Sequence, residues 1–216
     1  MASSMPRSLR LFQVVLWVSV AVVAGLYVVP SLLTTAQQQP GLSVTQEYLG
    51  PGIPMTAPFT LVTHEGTTVT EADFAGKPGA WFYGFTNCPD ICPAALAEMS
   101  QLLVELGERA DDINAVFVTV DPERDTQQVM GDYLKFFDPR LIGLTGTLDQ
   151  ITAMAKPRFV HFEKIPQGDT YAMQHPAGIF LTDAEGNFVG TLDPDEPMST
   201  KLGKLRKLLE TNGRAA

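Results

Sequence analysis

Two cysteines spaced four residues apart, Cys88 and Cys92, are the residues of this chain best suited to chemistry. They lie in the phrase NCPDICP, and the sequence contains no other cysteine. A disulfide scaffold uses several bridges spread along a small secreted chain, and a bridge across so short a segment constrains little of the unfolded ensemble. We therefore interpret the pair as a local site for thiol or metal chemistry. The alternative is a pair of incidental buried thiols.

The position of the pair favours reactive sulfur atoms. The apolar run AWFYGF at residues 80–85 predicts a buried strand before the cysteines, and the apolar spacing after them predicts a helix from Pro93 to Arg109. The amino end of a helix carries partial positive charge, which favours thiolates. Residues four apart lie on one side of a helical turn, so the two sulfurs could share a metal ion or form a disulfide.

A histidine is the expected third ligand for such a pair. Two thiolates are soft donors that Cu(I) accepts well, and one imidazole would complete a three-coordinate site, whereas structural zinc normally requires four protein ligands. Of the three histidines, His64 falls in a predicted hairpin turn and His161 in a predicted strand between aromatic residues. His175 begins the core strand HPAGIFL, whose end could approach the cysteine loop. Position favours His175, although a lone histidine usually has no ligand role.

Four phrases in order along the chain resemble the Sco/SenC family of cytochrome oxidase assembly proteins. They are NCPDICP, DPERDT at 121–126, LTG at 144–146 and the DTYAMQH that ends at His175. The likeness covers about residues 50–212 and includes the single apolar segment before them. It implies a thioredoxin-like fold that binds Cu(I) or Cu(II) through Cys88, Cys92 and His175. One departure is Phe85, where the family often has tyrosine, and it does not affect a ligand.

Three aspartates near these motifs each have two interpretations. Asp121 and Asp125 in DPERD could orient a ligand or contact a docking partner. We favour structural roles, with Asp121 in the turn after a strand and Asp125 capping a helix that runs to about Phe137. Asp90, between the cysteines, is expected near the site, where it could cap the helix or lie in the outer sphere of a metal.

The amino-terminal segment predicts a membrane anchor. Leu11 to Val29 contains no charge, and as a helix it would span roughly 28 Å, close to the hydrocarbon thickness of a bilayer. Arg7 and Arg10 precede it, so the positive-inside rule places residues 1–10 in the cytoplasm. The alternative is a cleaved secretory signal, whose apolar core is usually shorter. We expect a single-pass inner-membrane protein with its main domain in the periplasm; the mitochondrial inner membrane, facing the intermembrane space, is the alternative.

The rest of the chain predicts one domain behind a linker. Residues 30–57 have the Pro, Gly and Gln composition of a linker, and residues 58–213 alternate predicted strands and helices. One hairpin is predicted between Arg158 and Gln174 across KIPQGD. This order predicts an α/β fold in which a mixed sheet is flanked by helices, preceded by a single transmembrane helix.

Composition and resemblance together limit the function. The formal net charge of -9 would repel phosphate backbones, so we expect no nucleic-acid partner. The resemblance implies a membrane-anchored copper chaperone that helps assemble the binuclear copper centre of cytochrome c oxidase subunit II. The alternative is a thiol–disulfide reductase that maintains the copper-ligand cysteines of the oxidase. A further partner could be another periplasmic copper chaperone or a thiol reductase. A thiol peroxidase is disfavoured, because the cysteine motif differs.

Overall fold

The structure, a computed structural model, describes residues 53–55 and 57–212 together with Trp17. The chain divides into two units, Met1–Val44 and Thr45–Ala216, and all the described residues except Trp17 lie in the second.

The predicted membrane anchor cannot be compared with the structure. The cytoplasmic tail at 1–10, the anchor at 11–29 and most of the linker at 30–57 lie outside the described residues. In the part of the chain that the structure describes, no helix is long and apolar enough to cross a membrane.

Within the described residues, strands and helices alternate along the second unit. The strands are β1 (Ile53–Pro54), β2 (Thr60–Thr63), β3 (Thr68–Thr70), β4 (Gly79–Gly84), β5 (Asn114–Thr119), β6 (Leu141–Thr145), β7 (Glu163–Gln167), β8 (Thr170–Gln174), β9 (Ile179–Thr182) and β10 (Asn187–Leu192). The helices are α1 (Ile91–Leu106), α2 (Gln127–Leu134), α3 (Leu148–Ala155) and α4 (Met198–Asn212).

A mixed sheet forms the centre of the domain. Its strand order is β1-β10-β9-β4-β5-β6-β2-β3. Strand β4 pairs parallel with β5 and antiparallel with β9, while β5 pairs parallel with β6. Every residue of β4 is buried, as expected for a continuous apolar run that is covered on both faces. The predicted mixed sheet and its buried central strand are confirmed, and β4 leads directly into the cysteine loop.

Helix α1 carries the cysteines at its amino end and an apolar stripe along its length. The stripe recurs at helical spacing and is buried: Leu96, Met99, Leu102, Leu103 and Leu106. The helix begins at Ile91. It ends at Leu106, because Gly107 takes a positive φ of 63° that does not continue the helix. The predicted helix is confirmed, but its predicted end at Arg109 is not.

The hairpin before His175 forms a sheet of its own. Strands β7 and β8 pair antiparallel with each other and with no strand of the main sheet among the described residues. The sequence predicted the first strand at residues 158–163, and this is wrong. Phe159 has a left-handed φ of 57°, which interrupts extended chain, and the residues expected in the turn form β7 instead.

Candidate metal centre

The turn between β4 and α1 places both cysteines at the amino end of the helix. Cys92 is the second residue of α1 and is fully buried, whereas Cys88 lies in the preceding loop and is half-buried. The Cys88 amide donates to the Phe85 carbonyl at 3.3 Å, which turns the chain after the strand. The backbone N–H groups of Cys92, Asp90 and Ile91 lie near the Cys88 sulfur and act to lower the pKa of its thiol. The predicted strand-to-helix junction is therefore confirmed.

His175 reaches the cysteines from the end of β8. Its Nε2 lies 3.5 Å from Cys92 Sγ, and its Nδ1 lies 2.9 Å from the carbonyl oxygen of Pro176. Because a carbonyl oxygen only accepts, this hydrogen bond assigns the proton of the neutral ring to Nδ1. Nε2 then keeps its lone pair on the side of the cysteines. A backbone carbonyl holding the second ring nitrogen is typical of histidines that bind metals.

The three predicted ligands come together in the folded chain. One ligand atom from each of Cys88, Cys92 and His175 lies within 4.8 Å of the other two. Among the described residues, no other group of three or more His, Cys, Asp or Glu side chains meets this geometry. Metal–sulfur and metal–nitrogen bonds are about 2.0–2.3 Å long, so one ion between these atoms could contact all three after small rotations. Two sulfurs and an imidazole nitrogen suit a soft ion such as Cu(I).

The two sulfurs differ in acidity. Burial acts to raise the pKa of Cys88, but the backbone N–H groups at the start of the helix outweigh it and bring the pKa below that of an ordinary cysteine. Burial raises the pKa of Cys92 far above the usual range. Burial also lowers the pKa of His175, which keeps its ring neutral. A soft ion would therefore meet one sulfur that readily ionises, one neutral imidazole and one thiol whose proton it must displace.

Two aromatic rings and a glycine shape the space around these ligands. The rings of Phe82 and Phe85 meet the His175 imidazole edge-on, with centroid distances of 6.0 and 5.7 Å. At Gly84, a Cβ atom would lie 2.8 Å from Cys92 Sγ and 2.9 Å from the Phe82 ring. Any larger residue at position 84 would have to displace the sulfur or the ring.

Gly84→Ala is expected to destabilise the protein by about 1–3 kcal/mol, because the methyl group overpacks the site beneath Cys92. Urea denaturation of the reduced protein measures the change. Gly203→Ala in α4 is the matched control, since a Cβ there would meet nothing within 4 Å, and it should leave stability unchanged or slightly higher. If both variants unfolded at the parent's midpoint, the close packing of Cys92 against Gly84 would be wrong.

Asp125 does not cap α2, contrary to the sequence prediction. The cap is Thr126, whose side chain accepts the backbone N–H that a cap is expected to bind. Asp125 is fully buried. Its Oδ2 accepts hydrogen bonds from the Thr86 amide at 2.9 Å and the Thr119 hydroxyl at 2.6 Å, and its Oδ1 accepts from the Thr86 hydroxyl at 2.5 Å. The carboxylate thus ties the start of the cysteine loop to the end of β5.

Asp121 connects the end of β5 to the hairpin that carries His175. The turn predicted at Asp121 is present, with the Arg124 amide donating to its carbonyl at 3.1 Å. Its side chain accepts the Tyr171 hydroxyl at 2.9 Å and forms an ion pair with Arg124. The Arg124 guanidinium also donates to the Tyr171 carbonyl at 3.1 Å and lies 3.9 Å from the centroid of the Tyr171 ring. Tyr171 stands four residues before His175.

The other candidates do not join the three ligands. His64 is half-buried rather than exposed, and its Nδ1 accepts the Gly143 amide at 3.1 Å. His161 is exposed and lies in no strand, contrary to the sequence prediction. Asp90 occupies the cap position of α1 but makes no side-chain capping hydrogen bond. Capping by the Asp90 carboxylate was therefore wrong, whereas its position beside Cys88 is as expected.

The sequence motifs did not single out Thr86, Arg124 and Tyr171. Each lies inside a phrase that already drew attention: Thr86 two residues before Cys88, Arg124 in DPERD and Tyr171 in DTYAMQH. Their position in these motifs was the available signal. It could not show which of them point toward one another, because the contacts join segments far apart in the chain.

Comparison with known families decides the assignment. The family model described as SCO1/SenC matches residues 50–210, a range that includes all three candidate ligands. The chain belongs to the SCO1/SenC family. The resemblance inferred from the sequence motifs is confirmed.

Curated members of the SCO1/SenC family are similar over the same region. Protein SCO1 homolog 1, mitochondrial, of Arabidopsis thaliana is 40% identical over 134 residues, which are 61% of this chain and 40% of the relative. Protein SCO1 homolog, mitochondrial, of Homo sapiens is 33% identical over 148 residues, which are 67% of this chain and 49% of the relative. The chain spans about half the length of the curated relatives it matches.

Solved structures of the family share the fold. The copper-bound structure of Bradyrhizobium japonicum ScoI has a TM-score of 0.67 and 38% identity, and the match covers 74% of this chain and 99% of that one. Copper-bound yeast Sco1 has a TM-score of 0.66 and 32% identity, with coverage of 73% and 89%. The predicted thioredoxin-like α/β fold, with its mixed sheet and flanking helices, is confirmed.

Proposed function

We propose that this protein carries copper on Cys88, Cys92 and His175 and acts as a metallochaperone in the assembly of cytochrome c oxidase. The observation that carries the proposal is the convergence of two sulfurs and one imidazole nitrogen within 4.8 Å. This donor set suits Cu(I) and is too small for a structural zinc site. Solved relatives with copper bound support the choice of metal.

The unequal exposure of the ligands gives them different roles in copper capture. Cys88 is partly exposed and has a lowered pKa, so it is the ligand that meets an incoming ion first. Cys92 is buried and releases its proton when the ion binds. His175 needs no deprotonation at Nε2, because its ring proton lies on Nδ1. A site with three protein ligands leaves room for an incoming thiolate to replace them one at a time.

The recipient and the cellular location belong to the same proposal. The recipient is the binuclear copper centre of oxidase subunit II, and another periplasmic copper chaperone or a thiol reductase is a further partner. The apolar segment at residues 11–29 and the arginines before it support an inner-membrane anchor, with the copper domain at 58–213 in the periplasm behind a linker. The mitochondrial intermembrane space is the alternative location for the copper domain, because several relatives are named as mitochondrial proteins.

A second function, thiol–disulfide reduction, is favoured by the unequal acidity of the two cysteines. The Cys88 thiolate would attack a disulfide of the oxidase and release one of its sulfurs as a thiolate. Cys92, once deprotonated, would then attack the Cys88 sulfur and release the second thiolate. Two electrons pass to the substrate, and a Cys88–Cys92 disulfide remains. Because that disulfide removes both sulfur ligands, the redox state of the pair would control copper binding.

His175→Ala is expected to weaken copper binding by at least about 100-fold, since loss of a group that only hydrogen-bonds to a metal ligand already costs roughly 10–100-fold. Titration of the reduced protein with Cu(I), in competition with a chromogenic chelator, measures the affinity. Thiol exchange with a small disulfide should continue at nearly the parent rate, because His175 is not one of the exchanging sulfurs.

His161→Ala is the matched control for this experiment. His161 is an exposed histidine outside the group of ligands, so its removal should leave both copper affinity and thiol exchange unchanged. Parent-like affinity in His175→Ala would contradict the three-ligand proposal. A parent that bound no copper in the reduced state would contradict the metallochaperone function itself.

A further inference from the structure

The three copper ligands are held by two different parts of the fold. Cys88 and Cys92 are positioned by β4 and α1 in the core of the main sheet. His175 directly follows β8, and β8 pairs with β7 alone among the described strands. The distance from the imidazole to the sulfurs therefore depends on how the β7–β8 hairpin is held against the rest of the domain.

Polar contacts with the DPER segment hold the hairpin in place. The Tyr171 hydroxyl donates to the buried carboxylate of Asp121 at 2.9 Å, and Arg124 donates to the Tyr171 carbonyl at 3.1 Å. A third contact joins Lys164 to Glu123 at 2.7 Å, but Glu123 is exposed and Lys164 only half-buried, and ion pairs near the surface contribute little. The contacts of Tyr171 are therefore the stronger polar attachment.

The side chains of Arg124 and Phe85 connect Tyr171 to the His175 imidazole. The Arg124 guanidinium lies 3.9 Å from the centroid of the Tyr171 ring and 5.7 Å from that of Phe85. The Phe85 ring in turn meets the His175 imidazole edge-on at 5.7 Å. Movement of Tyr171 away from Arg124 would thus disturb the wall against which the imidazole rests.

The arrangement in which Arg124 contacts Asp121 and Tyr171 leaves one strong hydrogen-bond donor unsatisfied. Arg124 Nη2 is buried and has no hydrogen-bond partner. An unpaired buried donor opposes the gain from the other contacts, and opening of the hairpin would expose this nitrogen to water. The unpaired nitrogen therefore reduces the free energy by which the other contacts hold the hairpin in place.

We infer that Asp121, Arg124 and Tyr171 form a latch that positions His175, and that opening of this latch is the step that frees copper for transfer. The inference rests on the proposed function, because it assigns the control of the same site. With the latch closed, the ion has three protein ligands. With the latch open, His175 leaves together with the hairpin, and the two sulfurs hold the ion until an incoming thiolate replaces them. The latch residues are positioning residues and do not bind the metal.

A double-mutant cycle on the full-length protein in detergent tests the latch. Tyr171→Phe keeps the ring above Arg124 and removes the hydroxyl that Asp121 accepts. We expect its copper affinity to fall about 10-fold, within the range for loss of a contact that positions a metal ligand. Copper transfer to a competing chelator should accelerate by a similar factor. In the electron paramagnetic resonance spectrum of the Cu(II) form, the hyperfine splitting from the imidazole nitrogen should weaken, because fewer molecules keep the imidazole bound. In a His175→Ala background, Tyr171→Phe should change nothing further.

Two further variants make the outcome decisive. Arg124→Lys removes the forked contact with Tyr171 and should give the same pattern as Tyr171→Phe. Asp138→Asn disrupts another Asp–Arg pair, in which Asp138 is buried and Arg140 is partly exposed. The backbone amide of Asp138 donates to the Ser100 hydroxyl of α1, and the copper affinity of this variant should equal that of the parent. The latch would be overturned if Tyr171→Phe reduced copper affinity equally with and without His175. It would also be overturned if Tyr171→Phe did not reduce copper affinity at all. If His175→Ala itself bound copper like the parent, the proposed ligand set would fail instead.

Discussion

Iodoacetamide should label Cys88 at least about 100 times faster than Cys92 in the reduced protein at pH 7, since alkylation requires an accessible thiolate. Cys88 is partly exposed, and helix N–H groups outweigh burial to lower its pKa. Cys92 has no exposed surface, and burial raises its pKa. Mass spectrometry of peptides from a quenched time course measures both rates. The rate at Cys88 should rise with pH and reach half its maximum below the pH at which an ordinary cysteine does so.

The cysteine variants provide the control for this labelling experiment. Cys92→Ser should keep fast labelling at position 88, and Cys88→Ser should show only slow labelling at position 92. Addition of one equivalent of Cu(I) should protect Cys88, because the same sulfur cannot bind the ion and react with iodoacetamide. Equal rates at the two cysteines would contradict the assignment of Cys88 as the entry ligand and as the attacking thiol.

Asp125→Ala should destabilise the protein by about 3 kcal/mol, because it leaves a partly buried backbone amide and a buried hydroxyl without an acceptor. The groups concerned are the Thr86 amide and the Thr119 hydroxyl, and the Thr86 hydroxyl loses its partner as well. Chemical denaturation measures the loss. Thr86 lies two residues before Cys88, so copper affinity should also fall in this variant.

Asp125→Asn is the matched control for the alanine variant. Its amide oxygen can accept the same two donors, and its NH₂ group can donate to the Thr86 hydroxyl, so stability should remain within about 1 kcal/mol of the parent. Burial raises the pKa of Asp125, so the parent loses stability from this group as the pH rises through the folded-state pKa. Asp125→Asn should lack that decline. An alanine variant as stable as the parent would show that Asp125 does not hold the cysteine loop.

The same two sulfurs serve both functions proposed for this protein. Copper binding requires both as free ligands, whereas disulfide reduction ends with the two joined. A purified sample therefore needs a reductant before copper is added, and oxidation should abolish binding. Under the two proposed functions, the site is a copper site controlled by the redox state of Cys88 and Cys92 rather than a permanent metal centre.

Local sequence patterns were sufficient for most of the fold. The buried run at 80–85, the stripe of α1 and the hairpin turn at His64 predicted elements that the structure contains. The β7–β8 hairpin was placed wrongly because its first strand is short, polar and mostly exposed, so it has no apolar alternation to read. The left-handed φ of Phe159 likewise has no signal in residue type.

Residue type and spacing alone singled out Cys88 and Cys92 as a site for thiol or metal chemistry. Their position between a strand and a helix is a local property, and the lowered pKa of Cys88 follows from it. The raised pKa of Cys92 does not, because it comes from burial in the folded chain. The surroundings of the pair likewise depend on the folded chain. His175 contacts Cys92, 83 residues away in the chain, and Tyr171 contacts Asp121, 50 residues away. Asp125, predicted to cap a helix, instead supports the cysteine loop. Such contacts depend on which strands become neighbours, and that is settled by packing of the whole sheet rather than by any one segment.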